Sequence, residues 1–502
     1  MRIMKFHKTY IYILLTAFLF TNCEKLDELN ENPNQPEEVS SDVLFTSAVR
    51  SSVNSMVMES FLLGNNIAQI TAKTLRTEVD VYSWNAFPTV WEALYSAATN
   101  IVEVEQISGE AGNDAMQGAA KVMKVWIFST LTLAYGDIPY SEAIQGVGND
   151  NWFPAYDDQQ TIFSGEGGLL DELEAADQLF ESGTGTIGGD IIFEGDAAKW
   201  QKFANSLWLR LLMHLSLQQD VSAEFADIVA NRPIMTSNDE SAVLVYTGTF
   251  PNEFPTVPLK QGDFDAVVMS KSSVLEMETF QDPRLGKYAR PFNSNEIFED
   301  PSVVPIYKGA DNGLETGGCD KSGSRLGYMY YDYPAHLTVS DKADGLIMSY
   351  AEVELLIAEA AAKGWISADV ETHYRNGIEA SMNYYEVDYD AFGWTDFNDF
   401  YNGSGVAWEG DDLDIWKQKW LANFFHGLEP YFELRRWMYE VDDDWASLPF
   451  VTPPCQNTND DMLPLRFLYP GNEQSLNPDN YSAAVDKLGG NSQNARMWLM
   501  MK

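Results

Sequence analysis

The chain has 502 residues and a formal net charge of -43 at pH 7, because 75 Asp and Glu outnumber 32 Lys and Arg. A surface this acidic repels nucleic acid and anionic lipid headgroups, which excludes proteins that bind those partners through charge. With 45% apolar residues the chain can bury a large core without disulfide staples. Cys319 and Cys455 can pair or stay free, and the sequence does not decide between these states.

The first residues have the pattern of an export signal. A basic start precedes an apolar stretch from Tyr10 to Thr21, which is too short to cross a bilayer as a helix. Cys23 follows, as in lipoprotein signals whose cysteine receives a diacylglycerol. We predict a lipoprotein signal peptide over residues 1–22, lipidation of Cys23 and a flexible acidic tether over residues 23–38. An ordinary secretion signal with an incidental thiol is the alternative.

Apolar stripes with helical spacing dominate the rest of the chain. They predict helices from Ala115 to Tyr135, from Asp196 to Ser216 with Asp196 as the N-cap, and from Leu413 to Tyr439 with an interruption near Gly427 and Pro430. Another predicted helix begins with Ser349 and Glu352 as a capping box and ends at Gly364. This helix and the next one form a hairpin of about one tetratricopeptide unit.

Between residues 217 and 345 the helical stripes fade, and Pro, Gly, Asn and Tyr become more frequent. Short strands, such as Ala242 to Tyr246, are the most that this segment predicts. We therefore predict a mainly α fold of stacked helix hairpins, with one domain over residues 39–502 and a loop-rich part over residues 217–345.

No arrangement typical of an enzyme stands out. The five histidines are scattered, and none has the spacing that places two metal ligands on one helix face. Among 75 Asp and Glu, no carboxylate pair is distinctive enough to indicate a glycosidase. Acidic runs such as Asp442 to Asp444 are typical of solvated loops, although such runs also hold calcium. We expect no catalytic residue, no metal site and no cofactor, with calcium as the alternative.

Charged residues within the predicted helices are better explained by structure than by catalysis. We interpret Arg210, Arg435 and Arg436 as members of structural ion pairs. For Glu359 we expect a local pair or a position facing water, because unpaired carboxylates are almost never fully buried.

Several phrases resemble, in chain order, motifs of the SusD/RagB family. They include "CEKLDELNENPN", "YGDIPYSEAIQG", "QDPRLGKYARP", "IMSYAEVELLIAEAAAKGW", "WKQKWLANFFHGLEPYFELRRW" and "LRFLYPGNEQSLNPDNY". The resemblance covers nearly the whole chain and is closest to the branch called SusD-like nutrient-binding outer-membrane lipoproteins. His214 stands where this branch often has Arg, and Pro430 and Tyr431 replace a more usual Ala-Trp, so the departures concern packing.

The resemblance implies a SusD-like helical fold at the outer face of the outer membrane, with Cys23 as the lipid anchor. It also implies a SusC/RagA-like TonB-dependent barrel transporter as the partner, to which such proteins deliver captured glycans or, in some members, peptides. We expect this chain to capture an oligo- or polysaccharide. Peptide capture, a surface glycosidase and a purely structural helical scaffold are the alternatives.

Loop aromatics supply the candidate ligand-binding residues, because sugar rings stack on Tyr and Trp while polar side chains bind their hydroxyls. The segments "DVYSWNAF" and "GYMYYDYP" are the richest in such residues. The candidates are Tyr82, Trp84, Asn85, Asp320, Arg325, Tyr328, Tyr330 and Tyr331. Trp152 and Trp408 are weaker candidates of the same kind. The alternative is that these aromatics pin their loops to the body of the protein.

Overall fold

The computed structural model describes residues 40–146, 150–247, 250, 252–327 and 343–502. The helices of 10 residues or more in this part are α1 (Ser41–Glu59), α2 (Pro88–Ala111), α3 (Asp114–Tyr135), α4 (Leu169–Ser182), α5 (Ala197–Leu215), α6 (Ser222–Asn231), α7 (Lys271–Phe280), α8 (Tyr350–Ala362), α9 (Val370–Tyr384), α10 (Asp412–Ala422), α11 (Glu429–Glu440) and α12 (Pro478–Lys487). The fold is therefore mainly α, as the sequence predicts.

Shorter elements connect these helices. A π-helical turn at Ser60–Gly64 continues α1, and the other short helical segments are Asn65–Ile67, Gln159–Ser164, Asn238–Glu240, Gln261–Phe264, Leu285–Tyr288, Ser294–Glu299, Asp390–Phe392, Phe397–Gly403, Trp445–Ser447, Glu473–Leu476 and Trp498–Met500. The strands are β1 (Thr71–Lys73), β2 (Ala242–Leu244), β3 (Val267–Met269) and β4 (Gly345–Met348). Among the described helices, none is both long enough and apolar enough to cross a membrane.

The predicted capping residues begin the helices as expected. The Asp196 carboxylate accepts hydrogen bonds from the amides of Ala198 and Lys199 at the start of α5, at 3.0 and 3.2 Å. Ser349 caps α8 in the same way, because its hydroxyl accepts from the Glu352 amide at 3.2 Å. Pro430 lies in the first turn of α11, where a missing amide proton costs nothing. The predicted interruption therefore separates α10 from α11.

The longer helices form a continuous stack. Helix α2 packs on α1 and α3, α3 on α4, α4 on α5, and α5 on α8, while α8 also packs on α9 and α10. The helices bury their apolar faces against these neighbours, and one large hydrophobic core runs through most of the stack. Helix α9 buries Tyr374, Ile378 and Met382 in a second cluster, against Leu355 of α8. The hairpin predicted at α8 and α9 is confirmed.

Two small antiparallel sheets lie beside the helices. Strand β1 pairs with β3, with Thr71 opposite Met269 and Lys73 opposite Val267, and β2 pairs with β4. The loop-rich segment also contains α6 and α7, where the sequence predicts only short strands. These helices bury few apolar side chains, Phe225 in α6 being one of them, and such short stripes are hard to recognise from sequence.

A buried ion pair joins α5 to α8. Arg210 donates from Nε and Nη2 to the two carboxylate oxygens of Glu352, at 2.6 and 2.7 Å. The Glu352 side chain is fully buried, so it serves this pair and does not close the predicted capping box. Such a bidentate pair fixes the relative position of the two helices.

A second group of buried charges joins α8, α10 and α11. Arg436 contacts Glu359 and Glu433 at 2.8 Å each, while Lys419 contacts Glu433 at 2.9 Å and Glu359 at 3.4 Å. All four side chains are 0% exposed. Glu359 therefore pairs with cations on other helices and also with Lys363, four residues on, at 3.9 Å, so the predicted local pair is present and the position facing water is wrong.

Arg435 differs from the interpretation given to it. It donates to the main-chain oxygens of Leu133 and Leu465, at 2.8 Å each, and no carboxylate of the described residues pairs with it. The predicted ion pair is therefore wrong for Arg435. Two main-chain carbonyl oxygens stabilise its charge, and one of them belongs to α3.

Replacing Glu433 by Gln is expected to lower the free energy of unfolding by about 3–5 kcal/mol, because Lys419 and Arg436 would lose a buried partner. Asp442→Asn is the matched control, since the Asp442 side chain pairs with Lys502 while 91% exposed and such pairs contribute little. Urea denaturation of both variants measures the effect. If the two substitutions lowered the free energy of unfolding equally, the buried network would not be a major stabilising contact of the fold.

Candidate functional site

Three loops of the chain meet at one surface, which we call the loop platform: residues 74–87, 308–327 and 452–461. A disulfide between Cys319 and Cys455 joins the second loop to the third across a sequence separation of 136 residues. The pairing that the sequence leaves open is thus present. In the chain-entropy model, a link across such a long separation removes many conformations from the unfolded chain and so favours the folded arrangement.

Lys321 joins the second loop to the first. Its ammonium contacts Asp80 Oδ2 at 3.0 Å and donates to the main-chain oxygens of Asp311 and Gly313, at 2.8 and 3.0 Å. Burial raises the pKa of Asp80 to about 6, although the charge of Lys321 opposes the shift. Because this ion pair is buried, it positions the loops and does not face a ligand. The loop that precedes the tyrosine-rich segment is therefore held against the loop that carries Asn85.

Tyr82 and Trp84 lie on the core side of the first loop. Tyr82 is 0% exposed, and its hydroxyl donates to the main-chain oxygen of Ile67 at 3.0 Å. Trp84 is 8% exposed and packs edge-on against Tyr431 and Phe467, with ring centroids 5.6 and 5.3 Å apart. These contacts agree with the alternative that the rings pin the loop. Their predicted role in ligand binding stays a prediction, and we leave both out of the site proposed below.

Three of the predicted polar groups are accessible on the platform. Asn85 is exposed. The Asp320 side chain is 56% exposed, and hydrogen bonds from Ser322 lower its pKa. The Arg325 side chain is 50% exposed and contacts Asp265 Oδ2 through Nη1 at 2.9 Å. Asp320 and Arg325 can therefore reach a ligand without leaving their present partners.

Tyr328, Tyr330 and Tyr331 lie outside the described residues, as does Cys23, so their predicted roles stay predictions. The described chain before these tyrosines ends at Gly327, whose amide donates to the main-chain oxygen of Tyr288 at 2.8 Å.

Two clefts lie at opposite ends of the β1–β3 sheet. The first measures 260 Å³, and its lining includes Lys271, Asp311, Asn312, Thr452 and Cys455. It consequently shares residues with the second and third loops of the platform, and its amide, hydroxyl and charged groups suit a ligand with many hydroxyls. The second cleft measures 330 Å³ and includes Lys73, Leu75, Arg76 and Asp263 in its lining. Both are near the lower size limit of ordinary ligand pockets.

Of the weaker candidates, Trp408 is half-buried, and its buried indole N–H has no hydrogen-bond partner in the described part of the chain. Trp152 is 61% exposed and lines a separate cleft that shares no residue with the loop platform. In the sequence Trp152 is only a weaker candidate, because the cleft that it lines is formed by segments that are distant along the chain.

His214, Glu429 and Glu433 are the described residues whose donor atoms lie close enough together to suggest a metal site, within 4.8 Å of one another. His214 Nε2 lies 2.8 Å from Glu429 Oε1, and Glu433 is already paired with Lys419 and Arg436. A divalent cation here would face these buried positive charges. The arrangement therefore fits an ion-pair network better than a metal centre.

The stability of this network is expected to depend on pH through Glu429. Burial alone raises the pKa of Glu429, but attraction by His214 and Arg210 outweighs it and lowers the pKa from 4.5 to about 2. A carboxylate with a lowered folded pKa stabilises the fold fully above its unfolded pKa and loses this contribution as the pH falls to the folded value.

We therefore expect Glu429→Gln to lower the free energy of unfolding at pH 7, and the difference from the wild type to shrink as the pH falls from about 5 towards 2. Urea denaturation at a series of pH values measures this difference. A difference that stays constant over this range would contradict the assignment of the pKa shift to the ion pairs.

Comparison with known proteins agrees with these structural features. A family model, SusD-like, described as starch-binding and associating with the outer membrane, matches residues 33–470. A comparison with curated proteins gives no match.

Solved structures of SusD homologues share the fold. One from Bacteroides fragilis is 25% identical, has a TM-score of 0.74 and covers 92% of this chain and 100% of its own. Another from the same organism is 24% identical, with a TM-score of 0.75 and coverage of 93% and 100%. A chitin-binding SusD homologue from Flavobacterium johnsoniae is 21% identical, with a TM-score of 0.73 and coverage of 91% and 99%.

Proposed function

The chain belongs to the SusD-like family, whose members associate with the outer membrane, and on this premise we propose that it captures glycans at the loop platform. The observation that supports the proposal is the ion pair of Lys321 with Asp80, 3.0 Å long, which holds the loop that precedes the tyrosine-rich segment against the loop that carries Asn85. A capture site needs loops from distant parts of the chain held in a fixed relation.

The chemistry of the platform supports a sugar ligand. Arg325 and Asp320 offer a guanidinium and a carboxylate that bind hydroxyl groups, and Asn85 adds an exposed amide. The tyrosines at positions 328, 330 and 331 would supply flat faces for the C–H groups of sugar rings. A neutral glycan fits better than an acidic one, because the chain carries a net charge of -43.

We further propose that the protein is anchored at the cell surface through a lipid on Cys23 and acts with a SusC-like TonB-dependent barrel. A lipid-anchored tether over residues 23–38 would keep the binding domain close to the barrel while allowing it to move. Holding both partners on one membrane raises their effective concentration, so that weak contacts suffice for transfer of the ligand.

Binding without bond cleavage is the proposed activity. Support comes from a relative described as a chitin-binding SusD homologue and from the described part of the platform, where Asp320 is already paired with Lys308 and Arg325 with Asp265. Capture of a peptide is the alternative outcome to be distinguished by experiment.

Replacing Tyr330 and Tyr331 together by Ala is expected to weaken glycan binding by about tenfold, because stacking on sugar rings would be lost. Isothermal titration of the purified protein with maltohexaose and chitohexaose measures the affinity. Phe298→Ala is the control, since Phe298 is an aromatic side chain that is 65% exposed on a different segment. Unchanged affinity of the tyrosine variant would remove these residues from the site.

A further inference from the structure

Trp152 is unusually exposed for a tryptophan, and its ring is nevertheless held in place. The side chain is 61% exposed, and its indole N–H donates to Asp150 Oδ1 at 2.8 Å. The ring lies against the backbone at Gly146, where an added Cβ atom would be only 2.7 Å from two ring carbons. Any larger residue at position 146 would displace the ring. The contacts fix the orientation of the ring and leave much of its surface open to solvent.

The ring of Trp152 forms one wall of a cleft of 280 Å³ with an aromatic floor. Trp91 and Tyr95 lie in this floor, with their ring centroids 4.8 Å apart. The Tyr95 hydroxyl donates to the main-chain oxygen of Pro139 at 2.7 Å, which fixes its ring as well. Because these rings are held by packing and hydrogen bonds, the cleft is preformed, and its size suits one or two sugar rings.

Glu473 brings a hydrogen-bonding group to the cleft. Its Oε2 atom accepts from the Tyr156 hydroxyl at 2.9 Å, while its Oε1 atom has no partner among the described residues. Asn477, which also lines the cleft, is occupied because it donates to the main-chain oxygen of Pro154 at 2.7 Å. The free carboxylate oxygen is thus a ready acceptor for a hydroxyl beside an exposed aromatic ring, which is the combination that sugars require.

We propose that this cleft is a second carbohydrate-binding site, which takes a neutral sugar ring with its C–H face on Trp152 and a hydroxyl on Glu473. The inference rests on the proposed function, since it assumes that the protein binds glycans. A neutral sugar is favoured because, among the described residues, the lining contains the carboxylate of Glu473 and neither Lys nor Arg. An acidic sugar would be repelled at close range.

The second site changes how a polymer would bind. Because the cleft and the loop platform share no lining residue, each can hold its own ring, and a polysaccharide that reaches both would bind more tightly than a short oligosaccharide that reaches one.

Two variants of Trp152 test whether this cleft binds sugar independently of the loop platform. Trp152→Ala removes the stacking face, whereas Trp152→Phe keeps an aromatic ring there, and Phe298→Ala serves again as the exposed control. Titration of the purified wild type with maltohexaose and chitohexaose is expected to reveal two sites per chain with one of these sugars. Trp152→Ala should leave one site, and Trp152→Phe should retain two. The double replacement of Tyr330 and Tyr331 should weaken the platform site about tenfold and leave the affinity of the Trp152 site unchanged.

The outcomes separate this inference from the proposed function. An unchanged number of sites and unchanged affinity in Trp152→Ala would overturn the second site while leaving the platform intact. Failure of the wild type to bind either sugar, together with binding of a peptide pool, would overturn both proposals. Circular dichroism of each variant checks folding, which substitution of an exposed side chain is expected to preserve.

Discussion

The buried charges around α8 are the constraint on which the rest of the structure depends. Glu352 and Glu359 lie on this helix, and their partners Arg210, Lys419 and Arg436 come from α5, α10 and α11. A buried charge without its partner costs several kcal/mol, so the helices have little freedom to slide or rotate against one another. The pairs thereby select one packing among the many that the apolar faces alone would permit.

The surface loops are held in place by contacts with this helical body. Gln69 lies just after the short helical segment Asn65–Ile67. Its side-chain amide donates to the main-chain oxygen of Thr452 at 2.5 Å and to the Tyr82 hydroxyl at 3.2 Å. Its Oε1 atom accepts from the Ser272 hydroxyl at 3.1 Å. One buried amide therefore joins two loops of the platform to α7. Together with the disulfide, it allows long irregular segments to present polar groups in a fixed arrangement.

Local signals in the sequence predict helices such as α5 and α8, because a cap such as Asp196 or Ser349 acts through hydrogen bonds to its own helix. The short apolar stripes of α6 and α7 are too weak for such a prediction. Contacts between distant segments are harder to predict. Arg435 looks like an ion-pair residue in sequence but meets carbonyl groups, and Tyr82 looks like a loop aromatic but is buried. The role proposed for Trp152 is also hard to predict from sequence. It depends on a cleft whose lining comes from distant parts of the chain.

The most direct test of the account is affinity electrophoresis of the purified protein through gels containing different polysaccharides, combined with chromatography of the same glycans after long incubation with the protein. We expect that at least one neutral polysaccharide retards the protein and is recovered at its original length. Recovery of shortened chains would show bond cleavage and contradict the claim that the protein captures its ligand without altering it.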